Sequence, residues 1–380
     1  MRPGAGGWVE RRAGSPRAQV EGAPRMVRGQ DEESLSERPK KGFRRRGRED
    51  PASLEWQAST YDRSVNKMRM SQAGPTAAKR LDIVGAPSSA GAYAPGQEKA
   101  PEAIRAGGLV ARLAERGIVA NDRRNVPGFR WRADPANPRA MNADAAARVA
   151  QAVAGRVAES LAEGVPILVL GGDCTVELGT VAGASVTSSN VGLIYIDFDT
   201  DLNTPASVDD GALDWMGVAH LLGLEHTVPA LAGLGPRAPM LAPHEVLLFA
   251  NGNSTAFERG IITDLGIAEV PCADVATEPA AAARRVVEGW ASRFERLLVH
   301  VDIDVLDYLD MPLAENTRRN EGLRFNQLVA VLRELVAAPN WVALTVCEVN
   351  PDHGELDGST MAILSEALAH VLSAAACFRD

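Results

Sequence analysis

From Leu81 onward, short apolar runs alternate with amphipathic stretches of helical period, and no other feature constrains the fold as much. Residues 81–87, 165–172, 192–198, 245–251, 267–271, 296–302 and 342–349 read as strands, with a weaker one near Ile118. Between them lie helical stretches. One starts near Pro101, one follows Asn142 as its expected N-cap, and others occupy "EPAAAARRVVEGWASRFE", "RFNQLVAVLRELVAA" and "GSTMAILSEALAHVLSAAA". Continuous apolar strands separated by amphipathic helices form a mainly parallel sheet covered on both faces. An open sheet and a closed barrel share this pattern, so periodicity alone leaves the choice between them open.

The first eighty residues differ from the rest. They carry 18 basic and 10 acidic side chains in a chain whose net charge is −9, and they are rich in Arg, Gly, Pro, Glu and Ser. Such a segment buries too little apolar surface to offset its ordering entropy. Residues 1–79 are therefore expected to be a disordered or over-extended N-terminal piece, with Met68 or Met70 as a natural start, and residues 80–380 an α/β domain. The acidic balance argues against a nucleic-acid or anionic-membrane binder. No apolar run reaches membrane length, and no secretory core is recognisable near Met1. The four cysteines, Cys174, Cys272, Cys347 and Cys377, are widely spaced without a CxxC pair, which fits a cytoplasmic protein.

In parallel α/β folds functional residues collect just past the carboxyl ends of strands. Four strand ends here carry acids: "GGDCT" with Asp173 and Cys174, "DFDTD" with Asp197, Asp199 and Asp201, "DIDVLD" with Asp302, Asp304 and Asp307, and "CEVNP" with Glu348. Side chains two apart in an extended segment point the same way. Asp197, Asp199 and Asp201 can thus converge, and so can Asp302 and Asp304. Five carboxylates brought together would repel one another unless some took up protons. A pair of divalent cations removes the conflict, each taking carboxylate oxygens and sharing some as bridges.

In this order, "GGDCT", "DFDTDLNTP", "VDIDVLD" and "CEVNP" resemble the arginase/agmatinase family of ureohydrolases, whose motifs read GGDH, DAHxDxNTP, DxDxxDP and a glutamate before NP. The resemblance spans residues 81–376. It implies a three-layer α/β/α sandwich on a mainly parallel eight-stranded sheet. It also implies two divalent metal ions, manganese before magnesium or zinc, and hydrolysis of the C–N bond of a linear guanidino or amidino compound with release of urea. Cys174, Asp197, Asp201 and Asp302 would then hold the first metal, and Asp197, Asp199, Asp302 and Asp304 the second. Asp201 and Glu348 would act in catalysis, Asp214 would stand where arginases place a proton-shuttling histidine, and Asn203 would either bind substrate or cap the turn at "NTP". Partners would be a small-molecule substrate and further copies of the chain, as trimer or hexamer.

The departures from the family are informative. Cys174 and Asp199 replace metal-binding histidines, so the first site gains sulfur and the second is all oxygen. The hydroxylated positions that read an amino-acid head group are Val208 and Asp210, which disfavours L-arginine itself. The loop "YLDMPLAENTRRNEGL" holds Glu315, Asn316, Arg318 and Arg319. Glu315 could pair with a cationic substrate, although a charged loop is commonly a solvated surface. None of the six histidines falls in a metal motif, which also permits a non-catalytic binding or assembly module.

Overall fold

The computed structural model describes residues 79–378. The expected N-terminal extension lies outside these residues, apart from Lys79, which opens the first strand. Eight strands form one sheet: β1 Lys79–Gly85, β2 Ile118–Asn125, β3 Ile167–Leu170, β4 Val191–Ile196, β5 Val246–Asn251, β6 Ala268–Pro271, β7 Arg296–Asp302 and β8 Trp341–Cys347. Their order is β2-β1-β3-β8-β7-β4-β5-β6, and every pairing is parallel. The sheet is open, not closed into a barrel.

Strand alternation divides the apolar side chains into two cores. Leu297, Val299 and Val301 of β7 join one, with Leu344 and Val346 of β8 and with helices that include Ala100–Ala106, Pro279–Gly289, Phe325–Val336 and Ser359–Leu372. Leu298 of β7 joins the other, with Ala343 and Cys347 of β8 and the helices Ala143–Ala162 and Val176–Thr187. Helix layers on both faces of the sheet make the expected three-layer sandwich.

The weak strand signal near Ile118 has a polar cause. Edge strand β2 is bound to β1 through Asp82, which accepts hydrogen bonds from Asn121 Nδ2 at 2.9 Å and Arg123 Nη1 at 3.0 Å. Two helix expectations need correction. The stretch from Pro101 is not continuous: it breaks at Gly107–Gly108, where Gly108 adopts φ 91°, and resumes as Leu109–Glu115. Asn142 does precede its helix but makes no side-chain cap. It sits at φ 56°, and its Nδ2 donates instead to Arg132 O at 3.0 Å.

The helix Val176–Thr187 packs closely on Ala143–Ala162. A Cβ at Gly179 would lie 2.3 Å from Ala150 O, and one at Gly183 would lie 2.4 Å from Ala154 O. The two glycines let the backbones approach, and they fix the height of the Val176 end over the sheet.

Candidate functional site

The strands β3, β8, β7 and β4 are neighbours in mid-sheet, so their four acid-loaded carboxyl ends meet. At the end of β4, Asp197 Oδ1 accepts from Asp199 N at 2.7 Å. At the end of β7, Asp302 Oδ1 accepts from Asp304 N at the same distance. Each first aspartate thus folds its own loop so that the acid two residues on faces the same space. Asp201 and Glu348 adopt φ 52° and φ 60°. Left-handed backbone at a non-glycine residue costs about 1–3 kcal/mol, and it persists where surrounding structure enforces it. At Glu348 the enforcement is visible: Oε1 accepts from Cys174 N at 2.9 Å, and Oε2 accepts from Gln97 Nε2 at 3.0 Å.

A cavity of about 310 Å³ opens over these strand ends. Its lining includes nine carboxylates, Asp197, Asp199, Asp201, Asp210, Asp214, Asp302, Asp304, Glu315 and Glu348, together with Tyr93, Trp215 and Asn316, and no basic side chain. Such a lining selects a cationic occupant. Burial pushes Asp197, Asp201, Asp302, Asp214 and Glu348 well above the usual carboxylate range, and repulsion from neighbouring acids adds to it. Asp304 rises to about 6, chiefly through burial and then through Asp199. Asp197 Oδ2 and Asp304 Oδ1 are buried without any hydrogen-bond partner. Oxygens of Asp197, Asp199 and Asp304 lie within 4.8 Å of one another, as do ligand atoms of Cys174, Asp197 and Asp302. Both sets are close enough for one cation each, and the orphaned oxygens fit that occupancy.

The structure departs from the sequence reading at three residues, Asn203, Arg318 and His300. Asn203 does not line the cavity; its Oδ1 accepts from Ser207 Oγ at 3.0 Å and closes a turn. Cys174 lies beneath the lining, with Sγ donating to Asp302 Oδ2 at 3.2 Å. Arg318 is not a solvated loop residue. Its Nη2 donates to Asp199 Oδ2 at 2.7 Å, its Nη1 is 3.9 Å from Asp304 Oδ2, and its guanidinium lies 4.2 Å from the Phe198 ring centre. His300, absent from every metal motif, is fully buried beside Cys174, with Nε2 3.3 Å from Sγ. The signal for His300 was available: it lies two residues before Asp302 on one strand, so the two share a face.

Comparison with known proteins agrees with this arrangement. The sequence pattern of the arginase family matches residues 79–373. The chain belongs to the arginase family. Human arginase-1 is 26% identical over 303 residues, covering 79% of this chain and 93% of the human protein. Among solved structures, the arginase of Bacillus caldovelox superposes with a TM-score of 0.69 at 24% identity, covering 77% of this chain and 98% of the other. Proclavaminate amidino hydrolase from Streptomyces clavuligerus gives 0.58 at 18% identity, covering 79% and 93%. These structural likenesses establish the arginase-like fold. The family relatives are hydrolases acting on C–N bonds, and ligand groups able to hold a metal ion are present here.

Proposed function

We propose that the chain is a metal-dependent hydrolase that cleaves a C–N bond in a linear guanidino or amidino compound. The observation that carries this reading is the cavity lined by nine carboxylates and no base at the carboxyl ends of mid-sheet strands. Asp197, Asp199 and Asp304 would hold one divalent cation, and Cys174, Asp197, Asp201 and Asp302 another, with manganese the first candidate. When bound, such ions supply a nucleophile ionised at neutral pH and offset charge in the transition state.

The chain's own residues supply the rest. Glu348, held by Cys174 N and Gln97, presents a fixed carboxylate to a guanidinium. Asp201 keeps one oxygen on the Tyr195 hydroxyl and has the other to accept a proton. Asp214 is pushed upward by burial and by Asp173, which favours the protonated form that could pass a proton to the leaving amine. It takes the place that a histidine fills in the resembling motif. Asp210 and Glu315 extend the acidic lining, and they favour a substrate whose far end is an amine rather than a carboxylate.

A second reading is supported by Arg318, whose guanidinium already places positive charge at Asp199. A family member that neutralises its acids internally could serve as a binding or assembly module. The assay that separates the readings is release of urea or ammonia from a panel of guanidino and amidino compounds, with manganese added. Urea from a guanidinoalkyl amine in preference to L-arginine is the expected outcome. Metal binding without any product from the whole panel would favour the module.

A further inference from the structure

Below the carboxylate cavity, on the same face of the sheet as the helix Val176–Thr187, the core contains a polar seam. β4 contributes Tyr195, β7 His300 and β8 Thr345 and Cys347, while the helix and the turn before it contribute Cys174, Glu177 and Thr180. Cys174, Glu177, His300 and Cys347 are each at most 1% exposed. Cys174, Cys347 and His300 bring one ligand atom each within 4.8 Å of one another. Asp302 is the register partner of Cys347, and its Oδ2 lies 3.2 Å from Cys174 Sγ.

We propose that Cys174, Cys347 and His300 form a soft-donor site for a zinc-type divalent ion. Four ligands at ordinary zinc–sulfur, zinc–nitrogen and zinc–oxygen distances stand about 3.5 Å apart around a tetrahedron. The separation of Cys174 Sγ from His300 Nε2, 3.3 Å, is close to that spacing. Two thiolates and an imidazole select zinc over manganese. Binding releases the two thiol protons to solvent.

The surroundings of His300 supply independent support. Its far nitrogen, Nδ1, lies 3.5 Å from Glu177 Oε2, and neither Nδ1 nor either Glu177 carboxylate oxygen has a hydrogen-bond partner. A wholly buried carboxylate without a well-formed hydrogen bond is costly. The cost is explained if Glu177 orients a metal-ligating imidazole by taking its outer N–H, an arrangement typical of zinc histidines. The Tyr195 ring stacks on His300 with centroids 4.1 Å apart at 16°, which holds the imidazole plane toward Cys174. Cys174 in the turn before the helix and Glu177 in its first turn are three residues apart, so one short stretch carries both the ligand and the group behind its neighbour.

This site shares Cys174 with the proposed hydrolytic centre, but it does not require that centre to be active. The test uses the full chain, purified reduced, stripped with chelator and loaded with one equivalent of zinc or cobalt. X-ray absorption at the zinc edge should show two sulfur neighbours at about 2.3 Å. Cobalt should give a thiolate charge-transfer band that Cys347→Ser reduces by about half, one of two thiolates being lost. Glu177→Gln should weaken zinc binding about 10- to 100-fold. Only oxygen and nitrogen neighbours in the wild-type chain, or unchanged zinc affinity in Cys347→Ser, would overturn the proposal. The wild-type spectrum needs no variant to fold. Absence of urea from a chain that binds zinc through two sulfurs would count against the hydrolase alone.

Discussion

At the scale of single residues, charge placement separates this chain from a generic strand-end acid cluster. Arg318 competes with a cation for Asp199 and approaches Asp304. Replacing it by methionine should therefore tighten manganese binding about tenfold or more, an effect of at least ~1.4 kcal/mol, measured by calorimetric titration. Sequence reasoning missed this role because Arg318 lies far along the chain from the acids it meets, and loop composition reports nothing of where a loop folds back. His220 gives a second residue-scale expectation. Its Nδ1 donates to Met216 O at 2.6 Å, and its Nε2 accepts from Val228 N at 3.1 Å, so it is neutral in the fold. Burial lowers its pKa from 6.5 to about 4. The stability it contributes is complete above about pH 6.5, falls as pH drops below that value and is lost through pH 4, for at most about 3 kcal/mol. Melting curves of His220→Gln should decline less steeply than wild type across that window, and equal slopes would count against the assignment.

Among the elements, the inner strands were legible because a parallel strand buried on both faces leaves an unbroken apolar run. Boundaries were less so. Gly107–Gly108 interrupts a stretch whose apolar period continues on both sides, and β2 forms at the edge through Asp82 rather than through alternation. The same parity that grouped Asp302 with Asp304 also places His300 and Cys347 in the seam beneath them. It went unread because "LLVHV" and "LTVC" pass as ordinary strand interior. The helix that bears Glu177 and follows Cys174 stays in place through Gly179 and Gly183. Gly183→Ala should push it from Ala143–Ala162 and destabilise the protein by about 1–3 kcal/mol, read as a fall in denaturant midpoint. An unchanged midpoint would show that the helices have room to part.

For the whole molecule, family membership and sheet order place the acids together, but they leave the substrate to the lining of one cavity. The four motifs were readable because chemistry at strand ends demands particular residues at fixed spacing. The role of Asn203 was not readable, since a turn-closing asparagine and a substrate-binding one present the same letter. From the composition of the first eighty residues we propose that the body folds without those that precede Met68. A chain beginning at Met68 should match the full chain in melting temperature, and a large loss would contradict this. The central claim is that divalent cations relieve repulsion among the buried aspartates. It is tested most directly by melting the wild-type chain and Asp197→Asn, each with and without manganese. Removing the orphaned carboxylate oxygen at Asp197 should stabilise the metal-free protein by about 1–3 kcal/mol. Manganese at a hundredfold over its dissociation constant should stabilise wild type by about 2.7 kcal/mol and leave Asp197→Asn nearly unmoved. Identical melting of both chains, with and without manganese, would contradict it.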